Sequence, residues 1–231
     1  MEPSPLGIAR PKSLTELVTE RLRARIISGE LELGQKLSEA RIAKQMEVSR
    51  TPVREAVNRL ESEGLLRVEA QRGCFVFEVG PDELGQLCDA RVCIETQALQ
   101  VALRTDPRGL HTALSACVED MRRARAGEDT SAYLAFDTDF HDLLVAGSKN
   151  PFLIRAYAAI SPKMAALRNR LGRHIDHMAK SFEEHVIISD CVRRGDAETG
   201  LEVLVDHIGR KEGTYWELFH RKTLREANDK G

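Results

Sequence analysis

The stretch from Leu37 to Phe77, LSEARIAKQMEVSRTPVREAVNRLESEGLLRVEAQRGCFVF, leaves the chain few folds to choose from. Leu37, Ile42, Ala43 and Met46 recur with a helical period, so Ser38 to Glu47 reads as one short helix with a single buried stripe and Ser38 as its N-cap. A second start follows at once. Ser49 can cap the next amides and Pro52 has its φ pre-set for a first turn, so a new helix begins at about Arg50. Its apolar positions Val53, Ala56, Val57 and Leu60 face inward, which turns Arg50, Thr51, Arg54 and Asn58 outward. Gly64 ends it as a C-cap, and Leu65–Val68 with Cys74–Phe77 make a short β-hairpin around Gln71, Arg72 and Gly73.

Two short helices joined by a tight turn, the second led by arginines and followed by a hairpin wing, suit a helix-turn-helix that inserts its second helix into the major groove N-terminus first. Arginine there can pair bidentately with guanine or hold a phosphate. The candidate DNA-contacting residues are therefore Ser49, Arg50, Thr51 and Arg54 at the helix start, with Arg72 and Gly73 at the wing. Global charge gives no help. Residues 10 to 78 hold 13 Lys+Arg against 11 Asp+Glu, residues 79 to 231 hold 21 against 24, and the whole chain is at −2. Phosphate binding rests on local placement of arginines and not on a basic surplus.

These residues resemble a known family. Leu37-Ser-Glu, Val48-Ser-Arg-Thr-Pro-Val-Arg-Glu-Ala56, Arg59-Leu-Glu-Ser-Glu-Gly64-Leu and Gly73-Cys-Phe-Val76 are similar to the winged helix-turn-helix of the GntR family of bacterial transcription regulators, over about residues 14 to 78. In front of the motif, Leu14, Leu17, Val18, Leu22 and Ile26 keep a helical period, with Ser13 or Thr15 able to cap and Gly29 ending the segment. Residues 1 to 12 carry three prolines and a glycine and read as a loose arm.

At 231 residues the chain is long enough for two cores, a head over 10–78 and a second domain over 82–222, separated at Gly80-Pro81. The second part shows no strand-like alternation. Helices are expected at 82 to 104, 109 to 126, 130 to 147, 151 to 171, 174 to 194 and 197 to 221, an antiparallel six-helix bundle. The fold class is thus mainly α, a winged helix-turn-helix followed by the bundle. Hydrophobic residues make up 42% and no apolar run approaches the ~18 residues that cross a bilayer, which with the absence of a signal peptide leads us to expect a cytoplasmic protein without membrane contact. Five scattered cysteines without a Cys-x-x-Cys pair read as reduced, mostly buried small hydrophobes.

Within the bundle, Asp137 and His141 are four apart and share a helix face, while His185 and His207 sit in apolar helical settings on the last two helices. Spacing alone is a weak signal, because a lone histidine is more often a core or surface residue. Asp137-Thr-Asp-Phe-His141, Asn150-Pro, Glu184-His185 and Gly195-Asp196 through His207-Ile208 resemble the FCD effector-binding domain of FadR-type GntR regulators, over about residues 82 to 222. That resemblance implies a divalent ion on Asp137, His141, His185 and His207, with Zn, Ni, Fe or Mn all compatible with the donor set. His174 and His177 are expected to be solvated or to stand behind the ligands. The resemblance also places Arg91 in an effector pocket, where its guanidinium would clamp a carboxylate, whereas the plain reading of Arg91 and Glu95 is an intrahelical ion pair worth about 0.3–0.5 kcal/mol.

The expectation is a ligand-responsive transcription regulator: a homodimer on double-stranded operator DNA, modulated by a small molecule, an organic acid, at the metal. A metal-dependent hydrolase or lyase using the Asp/His site is the rival, since three histidines and an aspartate with open positions could activate water. A third possibility treats the ion as a structural staple only.

Overall fold

The computed structural model describes residues 11–171 and 175–209, and the chain divides into two compact units between Phe77 and Glu78. In the first unit the helices are α1 (Leu14–Ser28), α2 (Glu39–Met46) and α3 (Arg50–Ser62), and the strands are β1 (Lys36–Leu37), β2 (Leu66–Glu69) and β3 (Gly73–Val76). Ser13 caps α1 through a reciprocal box with Glu16, and Gly29 closes it at φ +86, a left-handed angle that glycine adopts without steric cost. Ser38 caps α2 as its position dictates. The turn into α3 uses Glu47 at φ +55, which brings the two helices together within three residues.

The expected hairpin is present, and a third strand joins it. The order is β1-β3-β2, all antiparallel, with Leu37 and Val68 both opposite Cys74. The turn before β1 makes this pairing possible: Gly34, at φ +72, donates to Val76 O and Phe77 O. Val18, Leu22 and Ile26 of α1 meet Val53, Ala56, Val57 and Leu60 of α3 in a core closed by Ile42, Leu65 and Val76. Each large apolar side chain sealed in this way contributes roughly 1.5–3 kcal/mol.

The second unit is helical throughout its described residues: α4 (Pro81–Thr105), α5 (Pro107–Ala126), α6 (Thr130–Gly147), α7 (Pro151–Ala158), α8 (Ser161–Leu171), α9 (Ile175–Arg194) and α10 (Ala197–Ile208). Asp106, Asp129, Asn150 and Asp196 each cap the helix that follows by accepting a backbone N–H. The single helix expected over 151 to 171 is in fact two, so the described bundle has seven helices where six were expected. Pro162 explains the break, because it lacks the N–H that would bond to residue 158 and its ring crowds that carbonyl. The chain tightens instead, with Ile160 N–H bonding to Tyr157 O three residues back, and α8 restarts at Ser161.

α5 lies against α6 and α9, α9 against α10, and α4 against α6 and α10. Leu99, Leu114, Met121, Phe140, Leu144, Ile188 and Leu204 form the centre of their shared core. The last helix is described to Ile208, and the residues from 210 to 221 that were expected to continue it lie outside the described residues, as do residues 1 to 10 and His174. All five cysteines are free thiols, four buried and Cys93 exposed. Among the described residues no helix is long and apolar enough to cross a membrane.

Candidate metal centre and DNA-reading head

In the head, the inward face of α3 is sealed and its outward face is open. Val53 and Ala56 have no exposed surface, while Ser49, Arg50, Thr51, Arg54 and Asn58 are exposed. Ser49 holds the N-cap position with extended backbone, but its hydroxyl makes no capping hydrogen bond, contrary to the role its position suggested. Arg54 Nε lies 3.6 Å from Glu39 at the start of α2. On the wing, Glu69 pairs with both Arg67 and Arg72, and Arg72 lies over the Phe75 ring. Gly73 adopts φ +112, a backbone conformation that calls for glycine, while the nearest atom to a Cβ built there, Lys36 Cε at 3.2 Å, is the end of a flexible side chain.

In the bundle, the apolar stripes of three helices carry polar side chains to one buried place. On α6 the stripe Tyr133, Leu134, Asp137, Phe140, His141, Leu144 brings Asp137 and His141 inward, while α9 supplies His185 and α10 His207. His141, His185 and His207 place one ring nitrogen each within 4.8 Å of one another. His141 and His185 are fully sealed and His207 is 4% exposed. Asp137 is fully buried too, and its two oxygens are divided between Arg168 and the edge of the histidine cluster. Its Oδ2 ion-pairs with Arg168 Nε across 2.8 Å, its Oδ1 accepts from Ser181 Oγ at 3.1 Å, and it comes only within 4.0 Å of His185 Nε2. The four expected ligands are thus a compact trihistidine set and an aspartate whose charge balances a buried guanidinium.

The donor set fits a divalent ion on three observations. His141 Nδ1 is 2.6 Å from Glu95 Oε2 and His207 Nδ1 is 2.8 Å from Glu184 Oε2, and because a carboxylate only accepts, both rings must donate from Nδ1. Their Nε2 atoms then face each other across 3.1 Å. Two lone pairs at that distance repel, and a cation between them removes the conflict, either a proton on one ring or a metal ion shared by both. Nitrogens about 2.0–2.1 Å from one zinc ion in a tetrahedral site stand about 3.3 Å apart, a little wider than the observed gap. Third, among the described residues neither ring nitrogen of His185 has a hydrogen-bond partner although the ring is fully buried, an arrangement that a coordinated ion would resolve. Burial in the first place holds His141 and His185 well below the usual imidazole pKa, with Arg91 next for His141 and His207 next for His185, so both present neutral donors at pH 7. Burial alone would raise the Asp137 carboxyl, but Arg168 and then the histidines hold it well below its ordinary range.

Arg91 Nε donates to Glu95 Oε1 across 2.8 Å, and the two side chains are 1% and 0% exposed. The modest value of a surface ion pair therefore does not apply, because neither charge has water as an alternative. Among the described residues Arg91 Nη2 has no partner in this burial, nor has the hydroxyl of Tyr157. His177 is buried rather than solvated, on the same face of α9 as Ser181 and His185. Arg168 belongs to the site although no sequence motif names it, while in the sequence Glu95 stands out only as the ion-pair partner of Arg91 and Glu184 only as the neighbour of His185. A signal existed for two of them: Arg91 and Glu95 interrupt the α4 stripe of Leu84, Cys88, Ala98, Leu99 and Ala102, and Arg168 stands on the α8 stripe of Met164, Ala165 and Leu167.

A winged helix-turn-helix with an outward arginine face, in one chain with a helical bundle that gathers buried histidines, is the build of a DNA-binding transcription regulator. Residues 14–76 match the family described as bacterial regulatory proteins, gntR family, and residues 86–210 match the FCD domain. The chain belongs to the GntR family of transcription regulators, in the form that carries an FCD domain. It is similar to the gluconate operon transcriptional repressor of Bacillus licheniformis, 28% identical across 86% of this chain and 83% of that protein. With the Nta operon transcriptional regulator of Aminobacter aminovorans it shares 31% identity across 76% of this chain and 81% of that one. Among solved structures, a putative GntR regulator from Rhodococcus sp. RHA1 has the same fold, with a TM-score of 0.76 at 22% identity, covering 92% of this chain and 98% of that one. These relatives are regulators and not enzymes, which sets aside the hydrolase or lyase alternative.

Proposed function

We propose that this protein is a ligand-responsive regulator of the FadR type, a cytoplasmic homodimer that reads a two-fold operator and changes its DNA affinity when a small organic acid binds at a metal-containing pocket. Ser49, Arg50, Thr51 and Arg54 at the start of α3, with Arg72 and Gly73 on the wing, form the DNA-contacting set. His141, His185 and His207 hold the ion. Asp137 would complete the set through Oδ1, the oxygen nearer His185, with Oδ2 kept by Arg168, and water or the effector would fill the remaining positions. The observation that carries this reading is the buried histidine cluster, whose two Nε2 atoms face each other at 3.1 Å while both Nδ1 atoms are committed to carboxylates.

A nitrogen-rich set of this kind accepts Zn, Ni or Fe, and Mn where water completes the shell. Arg91, with its free Nη2, supports a carboxylate as the effector's recognised group. One relative represses a gluconate operon, and gluconate is itself a hydroxy acid, so it is a sensible first compound to test. Metal analysis of protein purified without chelator, alongside His141→Ala, His185→Ala and His207→Ala, decides the matter. The expected outcome is a stoichiometric ion in the parent and its loss in the variants, with the head still folded and still binding DNA. A parent without an ion, or full retention in all three variants, overturns the reading.

A further inference from the structure

Behind the histidine cluster stand two carboxylates of unequal character. Glu95 on α4 is fully buried and has both oxygens committed, Oε2 to His141 Nδ1 and Oε1 to Arg91 Nε. Glu184 on α9 is partly exposed, and among the described residues its second oxygen meets Lys180 Nζ alone, at 3.5 Å. Among the described residues His185 has no carboxylate behind it, and its ring rests on Phe140, with centroids 4.2 Å apart.

A histidine binds a metal through a bare nitrogen, and which nitrogen is bare depends on where the other finds its acceptor. We propose that Glu95, with its carboxylate fixed by Arg91, is the positioning residue of the metal centre. It holds the His141 proton on Nδ1 and so presents the Nε2 lone pair to the ion. The proposal rests on the metal reading given above and adds a direction of control. Arg91 orients Glu95, Glu95 sets the tautomer of His141, and His141 sets the affinity of the site. Glu184 acts in the same sense on His207 with less constraint, because nothing buried dictates which way its carboxylate turns.

The substitution Glu95→Gln tests the chain of control sharply because it keeps the shape and removes the symmetry of the two oxygens. Arg91 can only donate, so it claims the single amide oxygen. The amide NH2 is then left facing His141 Nδ1, which must become an acceptor, and the proton moves to Nε2 where the ion would bind. Glu184→Gln has no such conflict, since its amide can turn the oxygen towards His207.

Two measurements on the full chain read this out. Nitrogen NMR of metal-free protein labelled at histidine should find His141 with its proton on Nδ1 in the parent and on Nε2 in Glu95→Gln. Competition for Zn2+ against a chromophoric chelator should find affinity 10–100-fold weaker in Glu95→Gln, with a clearly smaller loss in Glu184→Gln. A parent His141 protonated on Nε2 overturns the proposal without recourse to any variant, so a Glu95→Gln protein that fails to fold does not rescue it. Zn2+ affinity in Glu95→Gln within twofold of the parent also overturns it. A parent that binds no Zn2+ while its His141 carries the proton on Nδ1 overturns the metal reading of the cluster and, with it, this role for Glu95.

Discussion

Arg91 shows how much a single residue's meaning depends on burial. As an exposed i,i+4 partner of Glu95 it would be worth little, but with both charges sealed from water, deleting one strands the other. Arg91→Ala should therefore destabilise the helical unit by about 3–5 kcal/mol, measured by urea denaturation of the metal-free protein; a loss below about 1 kcal/mol would contradict the buried pairing. The histidines make a second prediction at this scale. His141 and His185 titrate well below the unfolded value of about 6.5, chiefly through burial. Below that pH the unfolded chain binds more protons than the folded one, so stability rises with pH and falls as pH drops. Each of the two histidines contributes roughly 1.4 kcal/mol per pH unit until its folded pKa is reached. Melting of metal-free protein should drop clearly between pH 7.5 and 5.5, and a flat profile over that range would argue that these rings are not buried neutral.

Among the elements, α3 was the most legible in the sequence and α7–α8 the least. Ser49 and Pro52 mark where α3 begins, and Val53, Ala56, Val57 and Leu60 mark which side it buries, because an amphipathic helix next to a turn has only one face to hide. If Arg50 and Arg54 on the opposite face read bases, alanine at either position costs about 1–3 kcal/mol of specific binding and relaxes sequence preference; a phosphate contact instead weakens all sequences alike and lowers the salt dependence. Unchanged operator affinity in both variants, measured by fluorescence anisotropy, would remove them from the interface. The 151–171 segment kept a helical period across Ser161-Pro162, and periodicity hid the break that Pro162's missing N–H imposes. The third strand was hidden for a different reason. β1 is two residues long, and its pairing with β3 depends on Gly34 delivering the chain to that edge.

For the whole molecule, the proposed homodimer follows from the head, since one helix-turn-helix covers half of a two-fold site. Light scattering at micromolar concentration should give about twice the 25.8 kDa chain mass, and a monomer bound in one copy per operator would refute it. The sequence by itself determined the kinds of parts: a helix-turn-helix with its wing, a helical remainder, and histidines on the buried faces of separate helices. Those properties are local, written in caps, breaks and periodicity that each segment carries alone. What only the tertiary structure decided is which charged groups meet in the dry interior. His141, His185 and His207 converge from three helices, Asp137 turns to Arg168 30 or so positions later in the chain, and Glu95 stands between Arg91 and His141, a partner 46 residues away. Such pairings are set by how helices pack, because a buried charge takes the nearest counter-charge the fold brings to it, and no spacing within a single segment encodes that neighbour.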